Sequence, residues 1–348
     1  MNTTKNKIII APLNWGLGHA TRCIPIIKAL IKTNLVPIIA SDGAALWYLK
    51  KEFPTLQFLE LPAYNITYSK NLKLNLLLKA PRILRTIQQE NKEITNYVNQ
   101  DKNVIGIISD NRFGVRSKKV PSVYITHQIN VLSGFTTYFS SKIHQNITKK
   151  YNQCWVPDNN SEFSGKLSIS KKIKHQKFIG VLSRFQKEEV PKTIDILVLI
   201  SGAEPNRTYF EDKLKEIFKN DTRTIVFVLG KVAAVQKKWK QHHNTFYNFM
   251  LSSQLQKTIN ASKIVVCRSG YSSIMDLAVL HKKVFFIPTK NQPEQEYLAK
   301  YLQNNKIAPS CNLADFTLEK LAKITEYKGL KTETNLFNTD LFGLFHSK

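Results

Sequence analysis

Apolar residues in this chain fall into short runs, separated by longer stretches in which they recur at helical spacing. The runs at 7–11, 36–40, 104–109 and 122–126 predict buried strands, each ending in polar residues. Between them, 21–32, with Ile24, Ile27 and Leu30 on one face, and 44–52 predict helices. From 159 to 192 the pattern breaks. Ser, Lys and Gln there surround one short run, Phe178-Ile179-Gly180-Val181, as expected of an interdomain connection. Alternation restarts with runs at 194–200, 224–229, 264–267 and 283–287. Strand–helix alternation of this kind predicts α/β architecture with parallel sheets. Two such halves predict a two-lobed molecule with a cleft: a first domain over 1–165, a linker over 166–190, a second domain over 191–330 and a tail over 331–348.

The length of 348 residues also favours two domains. Hydrophobic residues at 43% and charged residues at 22% suit a folded soluble protein, but a net charge of +26 is unusual. Such a charge points to nucleic acid, an anionic membrane face or phosphate-bearing substrates. The cations are scattered rather than gathered in a tail, and Lys, Asn and Ile are abundant together, so compositional bias accounts for it equally well. Cys23, Cys154, Cys267 and Cys311 stand far apart, without C-x-x-C pairs or His at metal spacing. Neither a disulfide nor a metal site is expected, which fits a reducing cytoplasm. The apolar run at 8–10 stops at Pro12, too short for a signal peptide, and no stretch approaches the roughly 20 apolar residues of a membrane span.

The most informative motif spans 265–276: an apolar strand, an Arg268-Ser269-Gly270 turn, then a helix opening at Tyr271-Ser272-Ser273. A helix start after a Ser-Gly turn offers unpaired N–H groups and a favourable dipole to an anion. One turn further in, Asp276 is an acceptor placed for sugar hydroxyls, so the pair suggests a nucleotide-sugar site. Near the N-terminus, Gly16 and Gly18 follow the first strand, and His19 follows them. Glycines there permit close backbone approach to a ligand, and His19 is either a helix-capping residue or a general base. A dinucleotide fingerprint is the rival, with Asp42 as its acidic residue, but Thr21 stands where the third glycine is needed. A third polar cluster, Gln295-Glu296, opens a helix after Pro288. It reads either as an acidic first turn or as a pair of sugar-hydroxyl ligands.

Together these motifs resemble glycosyltransferase family 28, the GT-B family that includes the N-acetylglucosaminyltransferase of peptidoglycan synthesis. The likeness covers most of the chain. It rests on Gly16-x-Gly18-His19, on Gly180-Val181-Leu182-Ser183-Arg184, on Ser201-Gly202-Ala203, on 265–276 and on Gln295-Glu296. The family has Glu where this chain has Asp276, Gln where it has Glu296, and glycines where it has Asn14-Trp15. The last difference falls in a loop that binds the acceptor diphosphate, so the acceptor here is expected to differ.

The resemblance implies two Rossmann-like parallel-sheet domains facing across a cleft. It also implies transfer of a hexose from a nucleotide-diphosphate donor, expected to be UDP-linked, to an acceptor hydroxyl with inversion. Ser201, Gly202, Ser269, Gly270, Tyr271 and Ser272 would bind the diphosphate, Asp276 the ribose, and Gln295 and Glu296 the sugar; Met250 and Leu251 would lie by the uracil and Arg184 on the donor side. His19 is the expected base, with Asp110 as orienting partner or alternative base. Asn14, Gly16, Gly18 and His127 would line the acceptor side, and neither metal nor cofactor is implied. Segment 70–85 mixes apolar residues with cations, and reads either as a surface helix or as a face for an anionic membrane. With it comes the expectation of a lipid-linked or cell-envelope acceptor and a cytoplasmic protein peripheral to the inner membrane face. Two rivals stay open: a UDP-sugar 2-epimerase on the same fold, and a nucleic-acid binder, for which no stacking motif or basic helix argues.

Overall fold

Val- and Ile-rich runs buried on both faces build two parallel sheets, the arrangement expected when helices cover each side. A computed structural model describes residues 5–64, 72–132, 137–160, 162–169, 173–332 and 337–346, with backbone alone at 72–79 and 137–140. The chain divides into two compact units: Met1–Trp15, His19–Leu182 and Asn335–Lys348 form one, Gly16–Gly18 and Ser183–Thr334 the other.

In the first unit the elements run β1 (Lys7–Pro12), α1 (Gly18–Lys32), β2 (Val36–Ser41), α2 (Gly43–Glu52), β3 (Gln57–Glu60), α3 (Leu72–Gln100), β4 (Val104–Asp110), β5 (Ser122–Ile125), α4 (Thr137–Thr148), β6 (Gln153–Val156) and β7 (Gln176–Phe178). Helix α1 begins with Gly18 itself, at the edge of the division between the units. The strand order is β3-β2-β1-β4-β5-β6-β7, all parallel. Succession therefore runs outward from β1 one way and then resumes on its other side at β4. Such a switch leaves a crevice beyond the carboxyl ends of β1 and β4, the usual ligand position in open α/β sheets. Pro12 pairs with Asp110 across it.

The second unit runs β8 (Ile194–Leu199), α5 (Asn206–Ile217), β9 (Ile225–Val228), β10 (Lys238–Gln241), β11 (Asn244–Tyr247), α6 (Ser252–Asn260), β12 (Ser262–Cys267), α7 (Tyr271–Val279), β13 (Lys283–Phe286), α8 (Pro293–Asn304) and α9 (Leu318–Ala322). Its sheet order is β10-β11-β9-β8-β12-β13, parallel except for the β10–β11 hairpin. Here the switch falls between β8 and β12, so the Ser201-Gly202 and Ser269-Gly270 turns leave adjacent strands. Ile196, Val198, Phe227, Phe246 and Phe285 form the core beneath, against Phe210, Leu214 and Phe316. Each such side chain contributes roughly 1.5–3 kcal/mol when fully buried.

Two boundaries differ from the sequence reading. The linker expected at 166–190 is built into the first unit up to Leu182, where β7 adds a seventh strand beside β6. Residues 335–348 join the first unit instead of forming a separate tail; Phe342 and Phe345 are buried there and the ring of Phe345 lies 6.5 Å from Trp155. Most of segment 70–85 lies outside the residues whose side chains are described; of the rest, Leu84 is exposed. Among the described residues no helix is long and apolar enough to cross a membrane.

Candidate active site

The switch point of the first sheet gathers a buried polar cluster. Asp110, fully buried at the end of β4, receives two donors from the Arg22 guanidinium, Nε and Nη2. His19 Nδ1 lies 2.8 Å from Asp110 Oδ1 and 3.0 Å from Arg22 Nη2. Arg22 Nη1 reaches His127 Nδ1 at 2.9 Å. Helix α1 explains the arrangement: His19 and Arg22 are one turn apart and share a face. Burial opposes charge on Asp110, but the Arg22 charge and the hydrogen bonds from Arg22 and His19 win, and its pKa falls well below the ordinary carboxylate range. Burial lowers the pKa of His19, helped by Arg22 and His127 and opposed by Asp110. The imidazole is therefore neutral at neutral pH, as a general base requires. Both oxygens of Asp110 are engaged within the cluster, so the geometry gives it the orienting role and disfavours it as an alternative base.

Asn14 turns inward. Its Nδ2 donates to Asp42 Oδ2 (2.9 Å) and its Oδ1 accepts from Ala45 N, so its amide braces the start of α2. Asp42 also pairs with Arg112, at 2.6 Å, as does Glu90; both glutamate and arginine are fully buried. Gly16, at φ +76°, needs the left-handed backbone that only glycine adopts freely. It groups with Gly18 in the second unit.

In the second unit Gly270 precedes α7 as its N-cap in extended backbone, at a helix start whose first N–H groups have no partner within the helix. Gly202, at φ +108°, has open space around it. Asp276 is buried one turn into α7, accepts from Ser183 Oγ at 2.8 Å, and faces Arg184 Nε at 3.6 Å. Burial raises its pKa, against the Arg184 charge and hydrogen bonds from Ser183 and the Arg184 backbone. Arg184 also lies over the Phe185 ring. Met250 and Leu251 lead into α6, with Met250 buried.

Three expected ligands also hold backbone groups of the fold. Ser269 is fully buried and its Oγ donates to the Gln295 carbonyl, tying the start of α7 to α8. Gln295 Oε1 accepts from Thr289 N at 2.9 Å, and Glu296 Oε1 from Asn291 N at 2.8 Å. Both therefore brace the loop before α8, and only Glu296 is exposed. Arg22 was not named in the sequence, and Ser183 and Arg268 were named within motifs but given no role of their own. The Arg268 guanidinium donates to the Pro288 carbonyl (3.0 Å) and lies 3.8 Å over the Phe210 ring, and burial lowers its pKa to about 10. An arginine at position i+3 from the loop histidine was the one local signal available. Among the described residues no group of three or more His, Cys, Asp or Glu is placed to hold a metal ion.

Residues 201–339 match the model of the glycosyltransferase family 28 C-terminal domain. The chain is 22% identical, over 93% of its length and 89% of the relative's, to the UDP-N-acetylglucosamine–N-acetylmuramyl-(pentapeptide) pyrophosphoryl-undecaprenol N-acetylglucosamine transferase of Pasteurella multocida. Among solved structures it is similar to the glycosyltransferase SnogD of Streptomyces nogalater, with a TM-score of 0.63, 11% identity and coverage of 92% and 91%. Acinetobacter baumannii MurG superposes with a TM-score of 0.55, 14% identity and coverage of 93% of each chain. The structural likenesses establish the two-domain Rossmann-like GT-B fold.

Proposed function

We propose that this chain, which has the GT-B fold and whose residues 201–339 match the family 28 C-terminal domain, is a glycosyltransferase of that type and transfers a sugar from a nucleotide diphosphate to an acceptor hydroxyl with inversion. UDP is the expected nucleotide. The observation that carries the reading is the 2.8 Å contact of His19 Nδ1 with a buried, ionised Asp110 at the switch point of the first sheet. A hydrogen bond there leaves Nε2 as the basic nitrogen. The acceptor oxygen attacks the anomeric carbon, its proton passes to His19 Nε2, and the bond to the diphosphate oxygen breaks with its electron pair on the leaving nucleotide. One positioned base of this kind supplies roughly 10²–10⁴-fold.

The second unit would hold the donor. The α7 N-terminus and the Gly202 turn meet the diphosphate, and Asp276 meets the ribose. Fixed donors at a helix start stabilise charge that develops on the leaving group, so we assign that task to them rather than to a metal ion. The named Pasteurella relative uses a pyrophosphoryl-undecaprenol acceptor. A lipid-linked acceptor met at the cytoplasmic face of a membrane is accordingly our reading for this chain, and its net charge of +26 supports attachment to anionic lipid.

Release of UDP from a panel of UDP-sugars, measured with polyprenyl-diphosphate-linked and free sugar acceptors, tests the proposal. Acceptor-dependent release that the His19→Ala variant loses is the expected result. Interconversion of the UDP-sugar without acceptor would overturn it.

A further inference from the structure

Arg22 was not among the residues that motif or family pointed to, yet its guanidinium touches every other member of the His19 cluster. An arginine is a donor only and keeps its charge. His127 Nδ1, 2.9 Å from Arg22 Nη1, must therefore accept, which places the His127 proton on Nε2. His19 Nδ1 is flanked by Asp110 Oδ1 at 2.8 Å and Arg22 Nη2 at 3.0 Å, and only one of these can be its partner. Were the nitrogen to accept from the arginine, its lone pair would face a carboxylate oxygen at 2.8 Å. Donation to the ionised Asp110 is charge-assisted and removes that repulsion. His19 then carries its proton on Nδ1 and its lone pair on Nε2.

We propose that Arg22 is the positioning residue of this centre, holding His19 and His127 in opposite tautomers so that one imidazole is basic at Nε2 and the other carries a proton there. The role in transfer rests on the function proposed above; the tautomers do not. The charged and titratable groups around His19 are Arg22 and Cys23 from α1, Asp110 from β4 and His127 after β5; His127 in turn acts on His144 from α4. Arg22 thus has two separable effects. Its charge keeps Asp110 ionised beside a neutral His19, and its planar fork reaches three partners that a lysine ammonium would not span.

Long-range ¹H–¹⁵N correlation spectra of ¹⁵N-histidine-labelled full-length protein, without substrate, test this directly. His19→Gln and His127→Gln identify the two signals. The expected result is the Nδ1–H pattern for His19 and the Nε2–H pattern for His127. The reverse pattern at either residue would overturn the proposal. Arg22→Met alone leaves a buried carboxylate unpaired and endangers folding, so the second arm uses the neutral pair Arg22→Met/Asp110→Asn. In that variant the His127 signal should move to a mixture of tautomers, and an unchanged His127 pattern would overturn the assignment. In the activity arm, Arg22→Lys should lower kcat by about tenfold or more, a fraction of the full effect of a base, with donor KM unchanged. A rise in donor KM at constant kcat would remove Arg22 from the catalytic step. If wild-type protein transfers no sugar, the function fails while the spectra still decide the tautomers.

Discussion

Ser183 Oγ donates to Asp276 Oδ1 at 2.8 Å, joining the first residue of the second unit's main segment to the second turn of α7. The carboxylate proposed to hold ribose hydroxyls is thus already oriented, with its other oxygen toward Arg184. Asp276→Asn should abolish the thermal stabilisation given by UDP, whereas Ser183→Ala should weaken it by about 0.5–1.5 kcal/mol, the net worth of one hydrogen bond. Thermal unfolding across a UDP titration reads both. The pKa of Asp276 is raised by burial. Its contribution to stability is therefore present below the ordinary value of 3.8 and lost as pH rises through the raised value. Nucleotide binding, which uses the charged form, should instead weaken on acidification before pH 3.8 is reached.

His19→Ala should lower kcat by roughly 10²–10⁴-fold with little change in nucleotide affinity. Because burial lowers the folded pKa of His19, the acid limb of the wild-type kcat profile should lie below 6.5. The linkage has the matching sign. The contribution of His19 to stability is complete above 6.5 and is lost as pH falls through its folded value. Urea unfolding at pH 7.5 and at pH 5.5, for wild type and His19→Gln, would separate this contribution from that of the carboxylates.

Arg112 lies at the centre of a second buried ion cluster, paired with Glu90 and Asp42 and donating to the Pro62 carbonyl. Arg112→Met should cost about 3–5 kcal/mol, because it strands a buried carboxylate. Arg112→Met with Glu90→Gln should recover part of that loss. Urea midpoints of the two variants provide the comparison.

Gly106 in β4 has no room for a side chain: a Cβ there would come within 2.1 Å of Phe345 Cδ1. Gly106→Ala should expel Phe345 from its site, at a cost approaching the roughly 3–5 kcal/mol of a buried Phe→Ala change. Once Phe345 is Ala, the added methyl should cost far less. A double-mutant cycle in urea measures that coupling.

The alternation of apolar runs and helical stretches located ten strands or helices to within a few residues, because strands buried on both faces are apolar throughout. β7 and β10 escaped notice for the converse reason. Gln176–Phe178 is mostly exposed at a sheet edge and only Phe178 falls in an apolar run, while Lys238–Gln241 is exposed along its whole length. The break in pattern at 159–192 marked exposed edge structure as much as a change of unit.

The sequence by itself determined the α/β class, the second-unit motifs that match family 28, and the polar strand ends where His19, Asp110 and His127 stand. Those are local properties, written in neighbouring residues. Strand order is not local, and it alone brought His19 to Asp110 across 91 positions and Ser183 to Asp276 across 93. Nor could spacing show that Ser269, Gln295 and Glu296 would turn to brace backbone groups, since exposed and buried hydrogen-bonding partners look alike in sequence. Tertiary structure decided which polar residues satisfy the fold and which are left to chemistry, because a buried polar group must find a partner wherever packing has placed one.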